Sequence, residues 1–322
     1  MSTWKLQSSM LGTLAVIFGL STLFFTILLE LMGALNIFTL VTFVFSFNLI
    51  QWLLAPYLID ALYRVREVSK SENPKLHSMV ESLSQKSGVK APRVMMANIP
   101  IPNAFAYGSP IGGTKVAVTS GLLQTLEDEE VEAVLGHEIG HLKHRDVQVM
   151  MFVSMLPAIF LYIYYSMIMS SWYGRGRERD SGSAAVLIGV ASFVMYMILS
   201  VFTLYLSRLR EYFADRHSAN IVDEGRRKLS EALAKIQLST GKMKRTYRGP
   251  GTFSSFKALF IADPDKAEID AASIMQARGY TADQRLVEGV LRRELTGFDR
   301  LTEIFSTHPN IVKRLRALQK LS

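Results

Sequence analysis

The residues of this sequence best suited to chemistry are two histidines one helical turn apart with a glutamate between them, His137-Glu138-Ile139-Gly140-His141. On a helix the i, i+4 separation stacks the two imidazoles, so their nitrogens reach one Zn²⁺ at about 2.0–2.1 Å. Glu138 points about 100° away from His137, where it can serve a water instead of ligating. Composition alone produces that five-residue pattern by chance about 0.006 times in a chain of this length. Val131, Leu135, Ile139 and Leu142 fall in one apolar stripe, while the histidines lie about 40° apart on roughly the opposite face, away from the core side.

The sequence contains no cysteine, so a third ligand has to be His, Asp or Glu. His144 shares the histidine face, but seven residues at 1.5 Å each carry it about 10 Å along the axis from His137. It reads as an interfacial cation or a neighbour of the site. Glu211 is better placed. It follows a long apolar window by a few residues, just as His141 precedes another by a few. Asp215, one turn beyond Glu211, is suited to accept the remaining ring N–H of a ligating histidine. Spacing leaves a second reading open, in which Glu211 and Asp215 lie on an exposed helix face and pair with Arg208 or Arg216.

The elements that must position these groups follow from the charge pattern. The 322 residues are 49% apolar, with 36 Lys plus Arg, 28 Asp plus Glu and a net charge of +8, which excludes a disordered chain, and the lack of cysteine excludes a disulfide framework. Residues 6–29, 31–59, 147–174 and 181–207 contain no charged residue. Each is longer than the roughly 20 apolar residues that cross a bilayer core, so four transmembrane helices are expected, with Glu30, Gly33 and Asn36 at the tip of the first hairpin. Nine basic residues (Lys5, Arg64, Arg66, Lys70, Lys143, Arg145, Arg208, Arg210 and Arg216) flank the windows on the N-terminal side, against Arg175, Arg177 and Arg179 opposite. That bias places both termini and the soluble parts in the cytoplasm of a multi-pass cell-membrane protein. The expected division is an N-terminal transmembrane hairpin (1–60), the first half of a soluble domain with the metal helix (61–146), a second hairpin (147–207) and the second half (208–322). Residues 241–296 are the least readable part of the second half. The net charge suits anionic lipid. Nucleic acid is not an expected partner, because Lys242, Lys244, Arg245 and Arg248 read as a solvated loop.

Within the soluble halves, Asn73-Pro74 caps a helix carrying Leu76, Val80 and Leu83, with Gly88 closing it. Short β-type runs at Arg93–Met96, Asn103–Tyr107 and Lys115–Thr119 predict a small sheet. Thr125 with Asp128 resembles a capping box that starts the metal helix, which continues toward the third window. Further helices are expected from about Arg208, over Arg226–Leu238 and after Pro309.

Three strings together, Gly136–His141, Arg210-Glu211-Tyr212-Phe213-Ala214-Asp215 and Ser306-Thr307-His308-Pro309, resemble the HtpX-type membrane zinc metalloproteases, relatives of the CAAX prenyl endopeptidase. Asn103-Ala104-Phe105-Ala106 and Thr119–Leu123 match the same pattern. Only by this resemblance are residues 241–296 a variable insert. The resemblance implies a membrane protein, mainly α with a small β-sheet, in which four transmembrane helices accompany a gluzincin-like protease domain. It implies one Zn²⁺ held by His137, His141 and Glu211, supported by Asp215, with Glu138 as general base and His308 stabilising the oxyanion or making a helix-entry hydrogen bond. Asn103, Ala104, Phe105 and Ala106 would form the strand beside the cleft, where a peptide adds, unless Phe105 only packs the sheet. Arg314 matches the family arginine after the His-Pro pair, or is a surface charge of the last helix. The implied function is cleavage of misfolded or damaged membrane proteins and unfolded polypeptides at the cytoplasmic face. The rivals are a processing protease for one lipidated or signalling substrate and a non-catalytic membrane scaffold with structural zinc.

Overall fold

The structure is a computed structural model and describes residues 37–173, 179–246 and 283–321. The first apolar window and the Glu30 tip lie outside the described residues, as does 247–282 of the expected insert. In chain order the helices are α1 (Ile37–Leu62), α2 (Pro74–Ser87), α3 (Ser120–Thr125), α4 (Asp128–Lys143), α5 (Asp146–Tyr173), α6 (Arg179–Ile221), α7 (Gly225–Thr246), α8 (Asp283–Leu291), α9 (Gly297–Ile304) and α10 (Ile311–Gln319). The strands are β1 (Val65–Glu67), β2 (Arg93–Ala97), β3 (Ala104–Ser109) and β4 (Gly113–Thr119). The chain divides into two compact units, Leu53–Val147 with Ser207–Ser322 and Ser2–Trp52 with Gln148–Leu206.

The first unit holds a four-stranded sheet in the order β1-β2-β4-β3, with β2 and β4 parallel and the other pairs antiparallel. Alternation along the strands divides its side chains between two cores. Val94, Ala104, Val116 and Val118 face Leu76, Val80 and Leu83 of α2, Val134 and Leu135 of α4, Leu229 and Leu233 of α7, and Val312 and Leu315 of α10. Met95, Phe105, Tyr107 and Ala117 form a smaller cluster with Ile59 at the end of α1. There Asp60 accepts from Tyr107 Oη at 2.6 Å and pairs with the buried Lys115.

Asn73 caps α2 by accepting from Leu76 N at 3.0 Å, and Gly88 closes it in the left-handed region at φ 68°. The start of α4 differs from the expected Thr125–Asp128 box. Thr125 Oγ1 bonds back to Gly121 O and ends α3, while Glu127 caps α4 and its N–H donates to Glu130 Oε2 at 2.8 Å. Nor does α4 run on into the third window. His144 ends it, Arg145 adopts φ 54°, and α5 starts afresh at Asp146. The last apolar window, by contrast, continues unbroken as α6 to Ile221, and Lys242, Lys244 and Arg245 lie on α7 instead of in a loop.

In the second unit Val153, Phe160 and Ile163 of α5 pack against Leu199 and Leu206 of α6. Two helical stretches among the described residues, Asp146–Tyr165 and Ala184–Ile221, are long and apolar enough to cross a bilayer. Most of each apolar window is unburied, and Leu187 is 70% exposed. A soluble core helix would have covered those side chains. Residues 37–59 of the second charge-free window lie on α1.

Candidate metal centre

All the site residues lie in the first unit. Helix α4 supplies His137, Glu138 and His141, and it is buried on nearly every side, so its histidine face is not open to solvent as the stripe of Val131, Leu135 and Ile139 had implied. That face is closed by α6, because Gly140 lets the two helices approach. A Cβ built on Gly140 would lie 3.1 Å from both Ala214 Cα and His217 Cβ. Ser218 Oγ on α6 also donates to Ala133 O at 2.6 Å. The same helix therefore brings Glu211 and Asp215 over the imidazoles.

His137 Nε2 and His141 Nε2 lie 3.2 Å apart, His137 Nε2 lies 3.6 Å from Glu211 Oε2, and His141 Nε2 lies 3.5 Å from Glu211 Oε1. Tetrahedral coordination at about 2.0–2.1 Å separates ligand atoms by roughly 3.4 Å, so the three side chains already stand at the corners of such a cage. The far ring nitrogens face carboxylates: His141 Nδ1 is 2.6 Å from Asp146 Oδ2, and His137 Nδ1 is 2.9 Å from Asp215 Oδ1, the latter bent away from an ordinary hydrogen bond. Protons held at both Nδ1 atoms leave bare lone pairs on both Nε2 atoms, pointing at each other and at a buried carboxylate oxygen that has no hydrogen bond. Two such nitrogens and a carboxylate converging within 3.6 Å of one another are a donor set that fits a metal ion.

Glu211 and Asp215 do not lie on an exposed helix face paired with Arg208 or Arg216. Both are buried, and their cationic partner is Arg314 of α10, which is itself only 1% exposed. Its Nε donates to Asp215 Oδ2 at 2.9 Å and its Nη2 to Oδ1 at 2.5 Å, while Nη1 lies 3.1 Å from Glu211 Oε2. Arg314 is therefore not a surface charge. Burial alone would weaken its charge, but the Asp215 and Glu211 carboxylates outweigh this and hold its pKa above the usual arginine range. Asn310 caps α10 by accepting from Val312 N, which sets Arg314 one turn in.

Asp146 was not singled out from the sequence. A continuous helix would turn it about 140° from His141, and only the break at Arg145 swings it back onto the ring. The sole signal was an acid at the mouth of an apolar window. Burial works against charge on His141, but the hydrogen bond and charge of Asp146 outweigh it and raise the imidazole's pKa.

Glu138 ligates nothing in this arrangement. Burial pushes its carboxyl upward in pKa, partly offset by the two histidines, and its Oε2 accepts from Ala106 N at 2.8 Å. Since among the described residues β3 pairs only with β4, Ala106 N belongs to the outer edge of the sheet. Phe105 is buried and packs against Tyr63 and Tyr107 with ring centroids 5.5 and 5.4 Å apart. Asn103 is buried too, its N–H donating to Thr119 Oγ1. His308 Nε2 stands 3.8 Å from Glu211 Oε1, with Nδ1 2.9 Å from Thr307 Oγ1. His144 is exposed and packs its ring 5.6 Å from that of Phe213, outside the cage.

Residues 70–322 match Peptidase family M48. The chain belongs to that family. Among relatives of this M48 peptidase, "Protease HtpX homolog" of Aeropyrum pernix is 35% identical over 316 residues, which cover 98% of this chain and 95% of the relative. "Protease HtpX homolog" of Thermoplasma acidophilum is 35% identical over 279 residues, covering 85% and 82%. The resemblance carried by the three sequence strings thus extends over nearly the whole chain. In fold, this M48 peptidase is similar to the crystal structure of S. mikatae Ste24p, with a TM-score of 0.56 at 16% identity over 98% of this chain and 66% of that one.

Proposed function

We propose that this chain is a membrane-anchored zinc endopeptidase that cleaves misfolded or damaged membrane proteins and unfolded polypeptide at the cytoplasmic face. The carrying observation is the cage of His137, His141 and Glu211, with ligand atoms 3.2–3.6 Å apart and a carboxylate behind each ring. Two imidazoles and one carboxylate, with no cysteine, form the donor set of catalytic zinc sites, which keep a position open, whereas structural sites are closed by four protein ligands. When bound there, Zn²⁺ supplies a Lewis acid that activates water and polarises a peptide carbonyl.

The residues around the cage divide the remaining work. Glu138 takes a proton from the attacking water and returns it to the departing amine. Its raised pKa brings it closer to neutrality, where a base that must also act as an acid is most effective. The outer edge of the segment Asn103 to Ala106, which leads into β3, is the place for a substrate to add as an extra strand, with Ala106 N beside Glu138. His308 donates to the oxyanion, and Asp215 and Asp146 keep the two histidines in the ligating tautomer. Arg314 balances the buried carboxylates.

Membrane proteins are the favoured substrates because α4 ends at Lys143 and α5 begins at Asp146, leaving only two residues between the metal helix and the first candidate span. The unburied apolar faces of α5 and α6 and the excess of basic residues on one flank support four crossings with the site in the cytoplasm. The test is Glu138→Gln in purified protein. Cleavage of an unfolded protein should fall about 10²–10⁴-fold while zinc stays near one per chain. Retained cleavage would dismiss Glu138 as the base, and a parent protein without zinc would dismiss the site.

A further inference from the structure

Helix α9 is built inside out. At 100° per residue Phe298, Leu301, Ile304 and Phe305 lie within an arc of about 120°, and they are 68%, 57%, 40% and 61% exposed. Its acids face the other way: Asp299 is paired with Arg293 at 2.9 Å, and the buried Glu303 is paired with Lys313 and accepts from Asn310 N at 3.0 Å. Arg300 is the helix's exposed charge, beside Ile304 at the margin of the apolar stripe. A short helix that turns its acids inward and four large apolar side chains outward is made for an apolar surround.

We propose that α9 lies in the headgroup layer of the bilayer, with Phe298, Leu301, Ile304 and Phe305 in the acyl boundary, and thereby moors the His308 loop to the lipid surface. Two observations select lipid as the occupant. Arg208, the first charged residue after the charge-free window 181–207, donates from Nη1 to Ile304 O at 3.0 Å and Ser306 O at 2.7 Å. The end of the stripe is thus pinned to the point where the apolar part of α6 stops. Inward neutralisation of Asp299 and Glu303, with Arg300 left outside, also gives the exposed side the sign that anionic headgroups attract. His308 is three residues beyond Phe305, and Ser306 Oγ donates to His308 O at 2.9 Å, so the mooring reaches the cleft directly.

This inference rests on the bilayer reading of α5 and α6, and the experiment separates the two. Because the natural chain has no cysteine, single cysteines at Leu301, Phe305, the exposed Ser71 and the exposed Leu187 of α6 can each carry a fluorophore. The full-length protein is placed in phosphatidylcholine–phosphatidylglycerol vesicles, with and without brominated acyl chains. Labels at 301, 305 and 187 should be quenched about twofold or more by the brominated lipid, and the label at 71 should not. Quenching at 187 but not at 301 and 305 overturns the mooring of α9 alone. Absence of quenching at all three sites overturns the bilayer reading and the mooring with it. Labels at 301 and 305 that are shielded from aqueous iodide yet untouched by brominated lipid reveal a protein occupant, another part of this chain or a second copy, and also overturn the proposal.

Discussion

Arg314 is the residue whose role was hardest to read from sequence and is clearest in space. Its position near the chain end allowed a surface charge, but the structure buries it between Asp215 and Glu211. Removing one member of a buried ion pair leaves the other charge uncompensated. Arg314→Met should therefore cost about 3–5 kcal/mol in stability, read as a lowered midpoint in denaturant. Arg314→Lys should recover part of that loss, because it restores the charge without the two-pronged geometry. Asp146 makes a different case, for it touches a proposed ligand and not the metal. Asp146→Asn should weaken zinc affinity about 10–100-fold in a chelator competition while the fold is retained. An unchanged affinity would remove Asp146 from the account. The two histidines and Glu138 were legible because their spacing is local. Arg314 and Asp146 were not, since one depends on a contact 99 residues away in the chain and the other on a helix break.

At the scale of elements, the centre depends on two helices lying unusually close. Gly140 on α4 faces Ala214 on α6, and any side chain there meets backbone. Gly140→Val should overpack this contact at about 1–3 kcal/mol and displace Glu211 from the histidines. Zinc binding is expected to weaken beyond what the stability loss accounts for. Parent-like zinc affinity in a destabilised Gly140→Val protein would show that the close approach does not position Glu211. Sequence periodicity identified α2, the β2, β3 and β4 runs and the metal helix, because each carries its own caps or alternation. It misplaced the start of α4 by two residues and ran α4 into α5, since the left-handed Arg145 carries no glycine or proline to announce the turn.

For the whole molecule, the apolar windows of α5 and α6 were legible from charge alone, while β1 was not, being too short to show a period, and α8 and α9 were not singled out from the sequence although α9 carries an apolar stripe. The proposed topology predicts that single cysteines at positions 178 and 265 react from opposite faces of sealed vesicles. Reaction from one face would contradict the hairpins. The larger idea is that the chain leaves the soluble unit after the histidines and returns through α6 with the carboxylate that completes their cage. Zinc titration of purified metal-free protein, comparing the parent with Glu138→Gln and Glu211→Ala and checking the fold of each by circular dichroism, tests this most directly. The parent and Glu138→Gln should each bind one zinc per chain with similar affinity, and Glu211→Ala should bind at least about 100-fold more weakly. A folded Glu211→Ala protein that binds one zinc as tightly as the parent would contradict the account.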